Sequence, residues 1–384
     1  MNEHNSLPNM RFKGFTDKWK QEKLGNIATV EMNKRIYKNQ TNEKGEIPFY
    51  KIGTFGKKAD SFISNKLFNE YKKKYPYPKV GDILISASGT IGNTIVYKGE
   101  DAYFQDSNIV WLNINHNIIL NSFLYSFYQI VHWRGIEGST IKRLYNSNIL
   151  STSINYPSVN EQQKIGNLFT KLDKLLYVQQ QKIDKLDLLK KALLQKLFPI
   201  HDAKTPELRF KEFEDDWKKT RIGKIVQYSN STYLVKDLKQ KKGKNSYAVY
   251  DATGRQYYSN SFDMDKKYIA IIKDGSNVGA VKLLPARTSV LSTMGYLGAH
   301  NSDIAFDYYL FKKLNFKKYK VGSGIPHIYF SDYKIQVELV PQLSEQQKIG
   351  NLLFKSDKLI ELENKKLQNL QQFKKCLLQN MFVE

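Results

Sequence analysis

Residues 161–176 read EQQKIGNLFTKLDKLL and residues 345–360 read EQQKIGNLLFKSDKLI, identical at twelve of sixteen positions and 184 residues apart. Two further pairs accompany them. RFKGFTDKWKQEKLGNI at 11–27 returns as RFKEFEDDWKKTRIGKI at 209–225, and GSTIKRLY at 138–145 returns as GSGIPHIY at 322–329. The landmarks keep their order, so a whole unit is duplicated. From RFK to EQQKIG the first copy runs 150 residues and the second 136. The units share their ends and differ inside. Two copies within 384 residues match a length prior of two or three domains.

The EQQKIG segment opens a long helical pattern. Pro157 and Pro341 precede it, and Asn160 and Ser344 stand at cap positions with Gln163 and Gln347 at capping-box spacing. Leu168, Leu172, Leu175, Ile183, Leu186, Leu193 and Leu197 recur at helical spacing, with Leu189 beside them. In the second copy Leu352, Leu359, Leu367, Leu370, Phe373, Leu377 and Met381 do the same. A helix over 161–197 would be roughly 55 Å long. Such a stripe needs a partner, and the simplest is the other helix, in a coiled coil that a pseudo-two-fold axis makes antiparallel. Two independent helical hairpins are the alternative.

The interiors read as mixed α/β. DILISASGTIGNTIVY (82–97) and YIAIIKDGSNVGAVKLL (268–284) each read as strand, tight turn, strand, with Gly89, Gly92, Gly275 and Gly279 at the turns. NIVWLNI (108–114) reads as a strand; 119–133 and 303–316 read as amphipathic helices. The expected fold is two tandem α/β (α+β) domains separated by two long, antiparallel helices with pseudo-two-fold symmetry. The expected partition is 1–156, 157–198, 199–340 and 341–384.

Sixty Lys and Arg against 37 Asp and Glu give a formal net charge of +23. That balance points to a polyanion, nucleic acid before a membrane surface, although a lysine-rich codon bias would also raise it. No long apolar run or signal peptide is seen, which suits a cytoplasmic location. The single cysteine, Cys376, excludes an internal disulfide framework and a cysteine-based zinc site. No phosphate loop, GxGxxG, HExxH or GxSxG motif is present, nor an NPPY-like methyltransferase stretch. The chain by itself reads as non-catalytic, with no metal or cofactor site of its own.

Two diverged basic units on a spacer suit a bipartite, asymmetric duplex site; a true homodimer would favour a palindrome. Loops should make the contacts. In the first unit Lys57, Lys58, Lys142 and Arg143 suit phosphates, and Ser88, Thr90, Asn93, Ser139 and Thr140 suit phosphates or base edges. In the second unit the candidates are Arg255, Ser276, Asn277, Lys282, Ser323 and His327. Arg255, in a TGRQ turn, is the best placed to hold a guanine; a salt bridge is the ordinary alternative. Gln162, Gln163, Lys164, Gln346, Gln347 and Lys348 are candidate partner-docking residues, or an ordinary polar helix face.

Taken together, the RFKGFTDKWK and RFKEFEDDWK openings, PSVNEQQKIG and PQLSEQQKIG, and the endings KALLQKLF and KKCLLQNMF resemble a bacterial Type I restriction-modification specificity subunit over residues 11 to 384. The resemblance implies two target-recognition domains, each reading half of a split DNA site, with the conserved helices as a ruler. It implies a scaffold for two modification subunits that methylate adenine with S-adenosylmethionine, joined by ATP-dependent, translocating restriction subunits. S-adenosylmethionine, ATP and Mg would then belong to the partners. GSTIKR (138–143) and GSGIPH (322–327) match the family's loop near the end of each domain, but Pro326 and His327 replace Lys142 and Arg143. A basic coiled-coil adaptor without sequence readout and a self-contained nuclease are the competing readings.

Overall fold

A computed structural model describes residues 7–135, 142–200 and 203–383. It forms two compact units. Unit 1 takes residues 1–179 with 366–384, and unit 2 takes 180–365. The division between the units falls within the long helices.

In unit 1, β1 (Lys20–Lys23), a helical turn α1 (Leu24–Ile27) and β2 (Ala28–Glu31) follow the RFK landmark. Then come β3 (Ile47–Tyr50), β4 (Phe62–Ile63), α2 (Asn65–Lys74), β5 (Ile83–Ser86), β6 (Thr94–Val96), β7 (Tyr103–Phe104) and β8 (Ile109–Ile114). Helices α3 (Asn121–Tyr128) and α4 (Asn146–Ser151), strand β9 (Ser153–Tyr156) and the long α5 (Val159–Lys196) complete it. The sheets run β2-β8-β5-β6, β4-β3-β7 and β1-β9.

Unit 2 repeats that plan. Its strands are β10 (Lys218–Arg221), β11 (Val226–Asn230), β12 (Tyr247–Tyr250), β13 (Gln256–Ser259), β14 (Tyr268–Ile272), β15 (Val281–Leu284), β16 (Ser289–Val290) and β17 (Met294–Ala299). Helices α6 (Ile304–Lys313) and α7 (Phe330–Tyr333), strand β18 (Val337–Val340) and α8 (Leu343–Met381) follow. The sheets run β11-β17-β14-β15, β13-β12-β16 and β10-β18, strand for strand the order of unit 1. Helix α2 has no counterpart, which accounts for most of the extra length of the first interior. Buried strands such as β5 (ILIS) and β14 (YIAII) have both faces covered and are apolar but for the Ser86 and Tyr268 hydroxyls.

The repeated motif welds each long helix to its own domain. Glu161, 1% exposed, accepts two 2.7 Å bonds from the Arg11 guanidinium. Glu345, fully buried, accepts 2.8 and 2.9 Å bonds from Arg209 and one from Trp217 Nε1 at 3.2 Å. These bonds raise both arginine pKa values further. Gln162 accepts from Leu120 N and donates to Ile118 O and Pro157 O; Gln346 accepts from Asp303 N and donates to Pro341 O. Lys164 lies over Phe15, and Lys348 lies over Phe213 and pairs with Glu212. Gln162 and Gln346 are therefore buried clamps and not partner-docking residues. Gln163, bonded to Asn167, and Gln347 are exposed. The final glycine lies at a close approach of helix and domain. A Cβ on Gly166 would lie 2.9 Å from the Ser122 carbonyl carbon, and one on Gly350 would lie 2.7 Å from Phe306 N.

The helix starts also differ from the cap reading. The first helical bonds run from Gln162 N to Ser158 O and from Gln346 N to Gln342 O, so neither helix begins at Asn160 or Ser344. The side chains of Glu161 and Gln162 are drawn into the domain, which leaves the entry turn upstream.

Within each unit the two helices pack antiparallel. In unit 1 Phe169 meets Phe382, and Asp173 pairs with Lys374. In unit 2 Lys182 pairs with Glu363, and Lys190 with Asp357. The Asp173–Lys374 and Asp357–Lys190 pairs are one interaction built twice, since partners correspond at the 184-residue offset. The inward positions are Ile165, Phe169, Leu172, Leu176, Gln179, Ile183, Leu186, Lys190, Leu193 and Leu197, alternating steps of four and three. Among the expected pairing residues, Leu172, Ile183, Leu197, Leu367, Leu377 and Met381 are buried, and Leu168, Leu186, Leu193, Leu352 and Leu370 are partly buried. Leu175, Leu359 and Phe373 are 54, 41 and 53% exposed and do not pair. The sequence reading is one residue off in phase at these positions, where Leu176, Ile360 and Lys374 are the less exposed neighbours.

An aromatic triad closes each core: Trp19, Phe123 and Phe382 in unit 1, Trp217, Phe306 and Phe198 in unit 2. One core residue breaks the equivalence. Asp307, fully buried on α6, stands where unit 1 has Leu124. Burial pushes its carboxyl up to about 8, although Ser302, 2.5 Å away, favours the charge. The folded state thus holds a proton that the unfolded chain loses near the ordinary aspartate value of 3.8. This contribution is greatest below that value and is lost as pH rises towards 8. Asp307→Asn is expected to flatten the decline in unfolding free energy, measured by urea titration, between pH 5 and pH 8, by a few kcal/mol at most. Equal declines in the two proteins would refute this.

Candidate nucleic-acid interface

In unit 1 three loops meet at one end of the β5–β6 hairpin. The 87–93 turn is organised by Ser86, whose hydroxyl donates to Thr90 O (2.5 Å) and accepts from Asn93 N (2.9 Å). Gly89 and Gly92 have φ of 65° and 84°, as the turn reading expected. The 142–145 segment adds to it through a Ser88–Arg143 bridge and a Leu144 N to Ala87 O bond of 2.8 Å. The 52–58 turn packs on the other side, with Ile52 against Gly89 and Ile95 against Gly56.

Lys57, Lys58, Thr90, Asn93, Lys142 and Arg143 are all exposed on these loops. Ser88 is not: it is 3% exposed and donates to Asn108 Oδ1 at 2.6 Å, holding the turn to β8. Buried and committed to Asn108, the Ser88 hydroxyl cannot reach a ligand. Ser139 and Thr140 lie outside the described residues.

Unit 2 builds the same junction from other residues. Gly275 and Gly279 have φ of 100° and 89° in the β14–β15 turn. Gly275 N donates to Pro326 O at 2.9 Å, and Ile328 N to Lys273 O at 3.0 Å. His327 Nδ1 lies 2.8 Å from Asp274 Oδ1, so this imidazole is engaged locally. Ser276, Asn277 and Ser323 are exposed.

The third loop is a tight turn around Asp251. Its Oδ1 accepts from the N–H groups of Thr253, Gly254 and Arg255 and from the Thr253 hydroxyl. Burial opposes that charge, but the Thr253 hydroxyl and the three N–H groups outweigh it and lower the carboxyl pKa. Lys282 Nζ donates to Ala252 O at 2.7 Å and so props the turn instead of facing outward. Arg255 is exposed, with its guanidinium 5.0 Å from the Tyr257 ring centre. The planar fork is presented on a rigid turn.

Sequence reasoning missed two features here. Tyr145 and Tyr329, equivalent in the two copies, are 46 and 56% exposed beside the junction. Ile325, 65% exposed, caps the unit 2 loop with an apolar group. The repeat of Tyr in KRLY and PHIY was the available signal. Among the described residues no group of three or more His, Cys, Asp or Glu is placed to hold a metal ion, and no helix is long and apolar enough to cross a membrane.

A family model described as the Type I restriction modification DNA specificity domain matches residues 16–188 and 214–372. A putative Type I restriction enzyme specificity subunit from Haemophilus influenzae is 57% identical over 152 residues, 40% of this chain and 40% of that protein. The chain therefore matches about two fifths of that relative's length. The putative Type I restriction enzyme MjaX specificity subunit of Methanocaldococcus jannaschii is 24% identical over 400 residues, 94% of this chain and 92% of that one. In fold, the chain is similar to the crystal structure of a Type I restriction-modification S subunit from M. genitalium, with TM-score 0.70 at 17% identity over 98% and 99% of the two chains. Two matched domains, in register with two copies of one strand order, show that the chain belongs to the specificity-subunit family of Type I restriction-modification systems.

Proposed function

We propose that the chain is the non-catalytic reader of a cytoplasmic Type I restriction-modification complex. Each unit reads one half of a split, asymmetric DNA site. The paired helices set the gap between the halves, and the chain carries two modification subunits; restriction subunits join that assembly. S-adenosylmethionine, ATP and Mg are used by those partners. The observation that carries the reading is the three-loop junction, built twice on one framework with different groups at its surface. Lys142 and Arg143 in unit 1 answer to Pro326 and the Asp274-bonded His327 in unit 2. A common frame with divergent contacts suits two different half-sites.

The test is selection from random duplexes by the chain assembled with its modification subunit. One split motif with unlike halves is expected. Salt-sensitive binding with no motif would replace the reader with a general DNA adaptor. Within this reading Arg255→Ala is expected to cost about 1–3 kcal/mol and to relax one position in the unit 2 half-site alone. A uniform loss of affinity across sequences would instead make Arg255 a phosphate contact.

A further inference from the structure

Each unit also has a cleft outside its recognition loops. In unit 1 it measures about 750 Å³ and lies between the end of α3, the β1–β9 ribbon and the end of α8. Phe127, Ile130, Leu378 and Phe382 form its apolar part, with Arg134 and Lys375 exposed at the rim. In unit 2 it measures about 590 Å³ and lies between the end of α6, the β10–β18 ribbon and the end of α5. Phe198, Leu310, Leu314 and Leu339 form its apolar part. Lys204, Lys219, Lys313 and Lys318 surround it, Lys204 being paired with Asp216. Glu338 is the one carboxylate among the described linings of both clefts.

The clefts occupy the same place in the repeat, since Phe382 and Phe198 are the matching members of the two aromatic triads. Each also shares a wall with the recognition junction. Trp133, between lining residues His132 and Arg134, sits 3.0 Å from where a Cβ on Gly92 would lie. Phe316, next to lining residue Asn315, fills the space beside Gly279.

The surface chemistry selects the occupant. A phosphate backbone would use the cationic rim and leave the apolar part bare. A neutral apolar helix would bury the apolar part and leave the rim charges without partners. A segment with apolar side chains on one face and carboxylates flanking them uses both. We propose that each cleft seats an acidic amphipathic segment of the modification subunit, one copy per unit, against the wall of the loop that reads the half-site. This rests on the function proposed above.

The experiment uses the full chain coexpressed with its modification subunit, with bound copies counted by native mass spectrometry during titration. Lys219→Glu with Lys318→Glu alters unit 2, and Arg134→Glu with Lys375→Glu alters unit 1; all four side chains are exposed. Each pair is expected to weaken one of two bound copies at least ~10-fold and leave the other, and all four substitutions to remove both. Circular dichroism checks that the fold persists, and the matching alanine pairs, which keep the apolar part, are expected to weaken binding less. Two copies retained at unchanged midpoints would overturn the proposal. So would variants that keep both copies while flattening the salt dependence of duplex binding, which would assign the rims to phosphates. Stepwise loss of copies by an assembly that selects no split motif would uphold the clefts and refute the reader.

Discussion

Arg209→Ala is expected to destabilise unit 2 by about 3–5 kcal/mol, because it strands the Glu345 carboxylate in a site with no solvent access. Trp217 Nε1 would remain its one strong donor among the bonds described. Neither partner alone defines the site's worth: a charge pair shielded this well loses much hydration, and the bond geometry must offset that loss. The double change Arg209→Met with Glu345→Leu is therefore expected to recover most of the stability lost in Arg209→Ala. Hydrogen exchange of α6 and the first turns of α8 separates these outcomes from changes in unit 1. A loss below about 1 kcal/mol for Arg209→Ala would mean that Glu345 is hydrated or protonated, and the weld would not depend on charge.

The second large effect is expected at Gly166. Its Cβ position lies 2.3 Å from Ser122 Oγ, 2.5 Å from Ser122 Cβ and 2.9 Å from the Ser122 backbone carbon. Rotating the serine side chain cannot relieve the backbone contact. Gly166→Val must push α5 away from α3, and about 3 kcal/mol or more is expected from overpacking at this junction. Gly53→Ala is the control: no atom lies within 4 Å of its Cβ position, and its φ is ordinary, so a change within about 0.5 kcal/mol is expected. Thermal unfolding of both variants gives the comparison. If Gly166→Val matched Gly53→Ala, the close approach of helix and domain would have no energetic weight, and the conservation of glycine between the copies would need another cause.

These two sites explain why the copies resemble each other where they do. Arg11 and Arg209, Trp19 and Trp217, Glu161 and Glu345, Gln162 and Gln346, Gly166 and Gly350 all sit where helix meets domain. The repeated letters record a structural joint. The loops at the hairpin turns are free of that constraint, and there the copies diverge.

By itself the sequence determined the duplication, the two long helices, the hairpins around Gly89 and Gly275, and the basic charge. Each of these is local or compositional: helical and strand periodicities, turn glycines and counts survive in one dimension. Only the tertiary structure decided which polar residues face inward. Ser88, Lys282, Gln162 and Gln346 carry groups suited to a ligand, yet each is used by a backbone or side-chain partner distant in sequence. The inward Lys190 and Lys374 were invisible to apolar periodicity because their place in the stripe depends on Asp357 and Asp173 across the helix pair. A side chain's type states what it can bond to; the path of the rest of the chain determines whether that partner is solvent, a ligand or the protein itself.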